Sequence, residues 1–324
     1  MYTLLEAQNL VEKHIQNISI PDTPQELYEP VKYVLSLGGK RIRPALVLLA
    51  CDLFAGAVDS ALVPAVAIEV FHNFTLLHDD IMDRSEIRRG QPTVHMKYSE
   101  NVAILSGDVM SIMASRLINQ SPGVVLGAVH EVFTKSAMEV CEGQQMDMNF
   151  EELLTVSEEE YMTMIRLKTA VLIAASLKIG ALLGGATETD ANDLYNFGLN
   201  LGMAFQLQDD LLDTFGDQQT IGKMLGTDIV DNKKTFLMIK ALEKASSDQR
   251  SILIDWLTKR KFVREEKVAA VTDIYKQLKI KEITKKRIRE FYDKSLENLA
   301  HLNKPDERKV ELANFASFLM NRNK

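Results

Sequence analysis

No glycine follows Gly226, and of the eight prolines only Pro305 lies beyond Pro122. Glycine and proline are the residues that most readily end a helix, so long stretches of this chain contain nothing to break one. Apolar residues recur there at helical spacing, as at Leu153, Tyr161, Met164, Ile165 and Leu167. Runs of alternating β-branched residues, the mark of strands, are nearly absent. Helix starts are legible at "SPGVV" (121–125) and "SEEEYM" (157–162): a serine can cap each, and acids fill the first turn of the second. The pattern predicts an all-α protein, a bundle of ten or more helices forming a single domain over residues 1–324. No linker rich in Gly, Ser or Pro divides it.

At 46 % hydrophobic residues the chain can bury a sizeable core, and a formal net charge of −7 argues against a nucleic-acid partner. Cys51 and Cys141 form no metal or redox spacing, which fits a reducing cytoplasm. The start, "MYTLLEAQNLVEKHI", lacks a basic segment followed by an apolar block and reads as an amphipathic helix. The most apolar stretch, 45–71, is interrupted by Asp52, Asp59 and Glu69, and 170–187 contains Lys178, so a soluble protein without a membrane span is expected. Residues 259–290 are rich in Lys and Arg with apolar residues interleaved; they read as amphipathic helices with a solvated basic face, in preference to a polyanion or membrane patch.

Two segments carry chemistry. "LLHDDIMDRSEIRRG" (76–90) and "FQLQDDLLDTFGD" (205–217) each hold Asp-Asp-x-x-Asp in a run that otherwise looks like a buried helix. In a helix, i and i+4 share a face, so Asp79 and Asp83 project together with Asp80 alongside, and Asp209, Asp213 and Asp210 repeat the arrangement. Carboxylates this close raise one another's pKa, and burial adds to the cost, so such a cluster calls for a cation. Oxygen-only donors without His or Cys point to Mg²⁺, which keeps waters and shares its shell with phosphates. Either motif alone could be an acidic solvated face; two together, flanked by Leu76, Leu77, Ile81, Leu207, Leu211 and Leu212, make that reading weak. Cations suited to phosphate accompany them: Lys40, Arg41 and Arg43 in "GGKRIRP", Arg88 and Arg89 in "RRG", Lys168 beside Thr169 in "LKTA", and Lys223, Lys233 and Lys234 in "GKMLGTDIVDNKK". The set suggests a diphosphate ester as substrate.

In order along residues 30–240, "GGKRIRP", "LLHDDIMD" with "RRGQPT", "GQQMD", "KTA", "FQLQDD" and "GKMLGTDIVDNK" closely resemble the motifs of the trans-prenyl diphosphate synthases. The resemblance implies an isoprenoid synthase-like fold, with helices around a deep central cavity, and a homodimer. It implies Mg²⁺-dependent head-to-tail condensation of isopentenyl diphosphate with an allylic prenyl diphosphate. Asp79 and Asp83, with Asp209 and help from Asp213 on the opposite wall, would hold three Mg²⁺ ions on the allylic diphosphate; Asp80 and Asp210 would support them. Arg88, Lys168 and Lys223 would contact that diphosphate, Lys40, Arg43, His72 and Arg89 the isopentenyl one, and Lys233 is a further substrate-binding candidate. The carbocation would be steadied by the Thr169 hydroxyl, the Lys168 carbonyl, the Gln206 amide and the Phe205 ring. On an apolar helix His72 could equally be a core histidine, and His78 reads as structural; Gln144 and Asp147 could form supporting contacts or ordinary core pairs. One departure stands out: an extra residue between Gly222 and Gly226 leaves Lys233 and Lys234 competing for one role.

A class I terpene cyclase would carry a different second motif and no use for "GGKRIRP"; a di-iron bundle needs paired Glu-x-x-His motifs, and only Glu69–His72 fits. A noncatalytic synthase subunit would have eroded motifs, yet all six aspartates are present. Chain length is read from residues preceding Asp79. Phe74 and Phe71 lie about 7–8 Å and about 12 Å back along the helix axis, and with Thr75 they resemble the floor of short-chain synthases. The expected product has twenty carbons, then fifteen, with a longer polyprenyl chain as the remaining alternative; Phe74 packed away from the tunnel is the plainer alternative.

Overall fold

The structure, a computed structural model, describes residues 2–217 and 224–320. Its helices are α1 (Leu4–Ile15), α2 (Gln25–Ser36), α3 (Ile42–Leu53), α4 (Val58–Met82), α5 (Val94–Lys97), α6 (Glu100–Ile118), α7 (Gly123–Glu152), α8 (Glu158–Ile165), α9 (Val171–Leu183), α10 (Glu188–Phe215), α11 (Thr227–Val230), α12 (Phe236–Lys244), α13 (Ser247–Thr258), α14 (Arg264–Gln277), α15 (Ile280–His301) and α16 (Asp306–Met320). Among the described residues the only strands are β1 (Ile87–Arg88) and β2 (Gln91–Pro92), an antiparallel pair. The fold is all-α.

The chain divides into two compact units. The first contains the residues up to Lys135 with Ala175–Tyr195 and Leu302–Leu312. Within it α1 buries Ala7, Val11 and Ile15, an i, i+4, i+8 stripe, against α3 and α4. Thr3 and Glu6 close α1 with a reciprocal capping box. Helix α3 is buried nearly all round, from Pro44 to Cys51, and α4 packs on both α3 and α6. Gly107 of α6 makes the second contact possible: a Cβ there would lie 2.2 Å from the His78 imidazole. His78 Nε2 also meets the Ile104 carbonyl at 3.1 Å, the structural role expected of it.

Helices α4 and α6 are long and apolar enough to cross a membrane by length and composition, which the interrupted stretch 45–71 did not suggest. In α4, 61 % of that apolar window is buried inside the protein, the mark of a core helix; in α6 the share is 33 %, and Leu105 and Ile112 are each 60 % exposed.

The second unit contains Ser136–Ala174, Asn196–His301 and the residues from Ala313 on. Its core gathers Tyr161, Met164, Leu207, Leu211, Phe236, Leu253, Val271, Tyr275 and Ile288. The Ser157–Glu160 capping box opens α8 as the sequence indicates. Two readings change. Ser121 donates to the Ile118 carbonyl, closing α6 instead of capping α7. Leu153 lies in the link between α7 and α8 and is 45 % exposed, so it belongs to no buried helical stripe. Of the basic stretch, Lys285, Lys286 and Arg289 are exposed as anticipated, but Lys267 is buried.

Candidate active site

In the first unit, the last turn of α4 presents Asp79, Asp80 and Asp83. The strand pair that follows is a two-residue hairpin, with Arg89 (φ 53°) and Gly90 (φ 74°) both left-handed, as a tight type I′ turn requires. Tyr33 fixes it through a 2.8 Å bond to the Pro92 carbonyl. The hairpin turns Arg88 back onto Asp80, its Nε lying 2.8 Å from both carboxylate oxygens and its Nη2 2.7 Å from Oδ1. Arg88 also lies 3.7 Å from Asp79. Asp80's pKa is raised, by burial first and by Asp79, against the lowering effect of Arg88. Asp83 is exposed.

Arg89 donates to the Gly38 carbonyl, and a Cβ on Gly39 would lie 2.9 Å from its guanidinium. The Gly-Gly turn therefore seats the second arginine. Arg43 Nη1 lies 3.1 Å from His72 Nε2. An arginine can only donate, so Nε2 accepts and the ring carries its proton on Nδ1. Burial, then Arg43 and the other arginines, hold the His72 pKa well below the usual value, so the ring is neutral. Arg43 Nε is buried without a hydrogen-bond partner, and Lys40 is exposed at the loop tip. Arg43, Arg89 and Arg88 all act electrostatically on His72, so positive charge is concentrated there.

Arg41 belongs elsewhere. It is 3 % exposed, left-handed at φ 45°, and bonds Glu69 (2.7 Å), Glu12 (2.8 Å) and the Leu35 carbonyl (2.9 Å). Asn73 adds a 3.0 Å bond to Glu69. Arg41 thus ties α1, α2 and α4 together, and Glu69 is spent on it, which removes the Glu-x-x-His metal reading.

In the second unit, Arg166–Ala170 form one π-helical turn between α8 and α9. Two glycines seat it: a Cβ on Gly143 would lie 2.2 Å from the Lys168 nitrogen, and one on Gly202 2.6 Å from the Ala170 Cα. Such close backbone approach is available only to glycine. Lys168 pairs with Asp147 at 2.6 Å. The Thr169 hydroxyl donates to Gln206 Oε1 (3.0 Å), and Gln206 Nε2 donates to Asp210 (3.0 Å). Tyr161 donates to the other Asp210 oxygen. With its proton engaged, the Thr169 oxygen offers lone pairs outward. Phe205 is part-buried one residue before Gln206.

Burial dominates the electrostatics of this cluster. It pushes Asp210 up to about 7 against the lowering effect of Tyr161 and Gln206. Asp228, which the sequence reading passed over, rises to about 8 through burial and its neighbours Asp210 and Asp213. Asp213 accepts from the backbone nitrogens of Thr227 (3.2 Å) and Asp228 (3.0 Å), capping α11. Asp209 is exposed. Lys234 turns inward to the Asn232 carbonyl (2.8 Å), whereas Lys233 acts electrostatically on Asp210 and Asp228. Lys223 lies outside the described residues.

Among the described residues no group of three or more His, Cys, Asp or Glu side chains is gathered to hold a metal by protein ligands alone. The donor chemistry nonetheless fits Mg²⁺, a hard cation that takes one or two carboxylates and fills its shell with waters and phosphate oxygens. Asp79 with Asp83, and Asp209, supply such carboxylates on helix faces.

The chain-length candidates also form a contact series. Phe71 and Phe74 have ring centroids 5.4 Å apart, Phe74 and His78 4.8 Å, and Phe133 of α7 stacks edge-on to Phe71 at 5.4 Å. Phe71 is buried, Phe74 is part-buried, and the Thr75 hydroxyl bonds the His72 carbonyl at 2.8 Å. Phe133 carried no local signal in the sequence; only the fold brings it to Phe71.

The all-α fold, with its two helices bearing Asp-Asp-x-x-Asp, is that of the isoprenoid synthases. The polyprenyl synthetase family model matches residues 24–277, and the chain belongs to that family, the trans-prenyl diphosphate synthases, which are prenyltransferases of isoprenoid biosynthesis. It is 41 % identical over 276 residues to geranylgeranyl diphosphate synthase of Sulfolobus acidocaldarius, covering 84 % of this chain and 83 % of that one. It is 38 % identical over 323 residues to short chain isoprenyl diphosphate synthase of Methanothermobacter thermautotrophicus, covering 99 % and 98 %. A crystal structure of a geranylgeranyl pyrophosphate synthase superposes with a TM-score of 0.95 at 41 % identity over 99 % of both chains.

Proposed function

We propose that the protein condenses isopentenyl diphosphate with an allylic diphosphate to give chiefly geranylgeranyl diphosphate. The observation that carries this reading is the group of arginines gathered around His72. Arg43, neutral His72 and Arg89, seated on the Gly38–Gly39 turn, offer donors beyond what the aspartate cluster and Arg88 use. A reaction with one diphosphate would not need them; one joining two diphosphates does.

Asp79, Asp83 and Asp209 would hold Mg²⁺, three ions in all, with Asp213 helping through its cap on the neighbouring loop. Bound Mg²⁺ would offset the charge developing on departing pyrophosphate. Arg88, Lys168, Lys233 and Lys223 bind that same group. The allylic C–O bond breaks with its electron pair going to pyrophosphate. Thr169, Gln206, the Lys168 carbonyl and the Phe205 ring face the cation, in a site that must exclude water. The isopentenyl double bond supplies the new C–C bond, and a proton leaves to pyrophosphate. The chain would act as one synthase domain over residues 1–324, in the cytoplasm and as a homodimer. The exposed apolar residues of α6, Leu105 and Ile112, suit a face buried by a second copy.

Phe74, backed by Phe71 and Phe133, sets the floor for the growing tail, because a packed aromatic wall does not yield to one more isoprene unit. Incubation with Mg²⁺, isopentenyl diphosphate and each allylic primer, followed by mass spectrometry, should give twenty carbons as the main product. Phe74→Ala should lengthen it. A forty-carbon wild-type product would refute the floor.

A further inference from the structure

We propose that Lys267, which lies beyond every motif named above, is a positioning residue for the loop 224–234 that carries Asp228 and Lys233; the proposal rests on the synthase reading of that loop. Lys267 sits in the first turn of α14 and is 1 % exposed. Its ammonium donates to the Val230 carbonyl (3.1 Å) and to Asn232 Oδ1 (2.6 Å), and it lies 4.3 Å from the centre of the Phe262 ring.

Asp231 acts on the ammonium electrostatically, but its direct contacts are neutral acceptors and a ring, an expensive way to fill space, since an apolar side chain of similar length would pack there at lower cost. What the charge supplies is grip. Asn232 is left-handed, with φ 57°, and both of its oxygens are held: the side-chain oxygen by Lys267 and the carbonyl by Lys234 at 2.8 Å. The same helix meets the start of the loop as well. Arg264 donates to the Leu225 carbonyl at 3.0 Å. The Val268 methyls press on Gly226, where a Cβ would lie 2.7 Å away and φ is 74°. Helix α14 thus fixes the loop at both ends, while Asp213 of α10 holds its middle through the Thr227 and Asp228 nitrogens. Asp228 lies within these anchors and Lys233 directly follows the last of them, Asn232, the two joined by a 2.9 Å bond from the Lys233 nitrogen to the Asp228 carbonyl.

The test uses the full chain in three variants: Lys267→Met, which keeps the stem and removes the ammonium; Lys267→Arg; and Asn232→Gly, which keeps the left-handed backbone and removes the acceptor. Losing a buried charged donor should raise the KM for the allylic substrate and the half-saturating Mg²⁺ concentration in Lys267→Met on the order of tenfold. The KM for isopentenyl diphosphate should stay within about twofold, because only an interaction serving one substrate is lost. Lys267→Arg should recover part of the loss, and Asn232→Gly should shift the same two constants by less. Titration with Mg²⁺ and inorganic pyrophosphate reads the loop without turnover. If the wild type makes no prenyl product, the synthase reading fails, while weaker pyrophosphate binding in Lys267→Met would still support the clamp. A Lys267→Met protein that melts earlier but keeps every constant, or that moves both substrates equally, would overturn the proposal. Should Lys267→Met not fold, Asn232→Gly with unchanged constants would overturn it.

Discussion

The two Asp-Asp-x-x-Asp motifs are the same in sequence and differ in what neutralises them. At the end of α4, Asp80 meets a guanidinium: Arg88 reaches both of its oxygens. Within α10, the corresponding Asp210 meets no such partner; its carboxylate accepts from the Tyr161 hydroxyl and the Gln206 amide, and burial raises it to about 7. The third aspartates differ too. Asp83 is exposed, and Asp213 caps α11. One cluster has a guanidinium in direct contact with its buried carboxylate; in the other the charge of Lys233 acts on Asp210, and burial outweighs it. A motif states which ligands are present, and its surroundings state what they require.

The largest effect should come from removing the first carboxylate of either cluster. Asp79→Ala and Asp209→Ala should each lower kcat/KM by about a thousandfold or more, the scale of losing electrostatic stabilisation of a leaving group. Helicity by circular dichroism should be unchanged. A variant with near-normal turnover would show that the clusters share no common duty. Chelation of Mg²⁺ should abolish activity, with full return when the metal is restored.

The next separates the cations around the clusters. Arg89→Ala, at the Gly38 turn, should raise chiefly the KM for isopentenyl diphosphate. Lys168→Ala, beside Asp147, should act on the allylic KM and on kcat. Effects of one to two orders of magnitude are expected for charge-assisted contacts. If Arg89→Ala moved only the allylic constant, the two diphosphate sites would be assigned in reverse.

The smallest tests the electrostatic contrast itself. Burial pushes Asp210 and Asp228 above the usual carboxylate range, to about 7 and about 8. Between the unfolded and folded values the native state binds protons that the unfolded chain does not. Their contribution to stability is therefore complete below about pH 4 and lost as pH rises through 7 to 8. In chelator, the melting temperature should fall by a few degrees between pH 5 and pH 8, and Asp210→Asn should flatten the slope. Asp80→Asn should instead destabilise throughout that range, by about 1–2 kcal/mol, because Arg88 loses its partner while keeping part of its solvent contact. Equal slopes in the two variants would erase the distinction between the clusters.

The sequence by itself determined what depends on neighbours a few residues apart. Breaker placement settles the all-α class, and Ser157 with Glu160 settles where α8 begins. The 3.6-residue period puts Asp79 with Asp83 and Asp209 with Asp213 on shared faces whatever the rest of the chain does. The order of the motifs carries the family. Tertiary structure alone decided which partners those side chains take. Arg41 and Arg43 stand two residues apart in one motif, yet one is buried between Glu12 and Glu69 and the other points to His72. Lys267 sits in a stretch whose composition reads as solvated, and its burial follows from where α14 meets the loop. Phe133 reaches Phe71, and Asp228 reaches Asp210, only because distant segments fold together. Periodicity is a property of local backbone geometry, but partner choice and desolvation are set by contacts that the linear order leaves open.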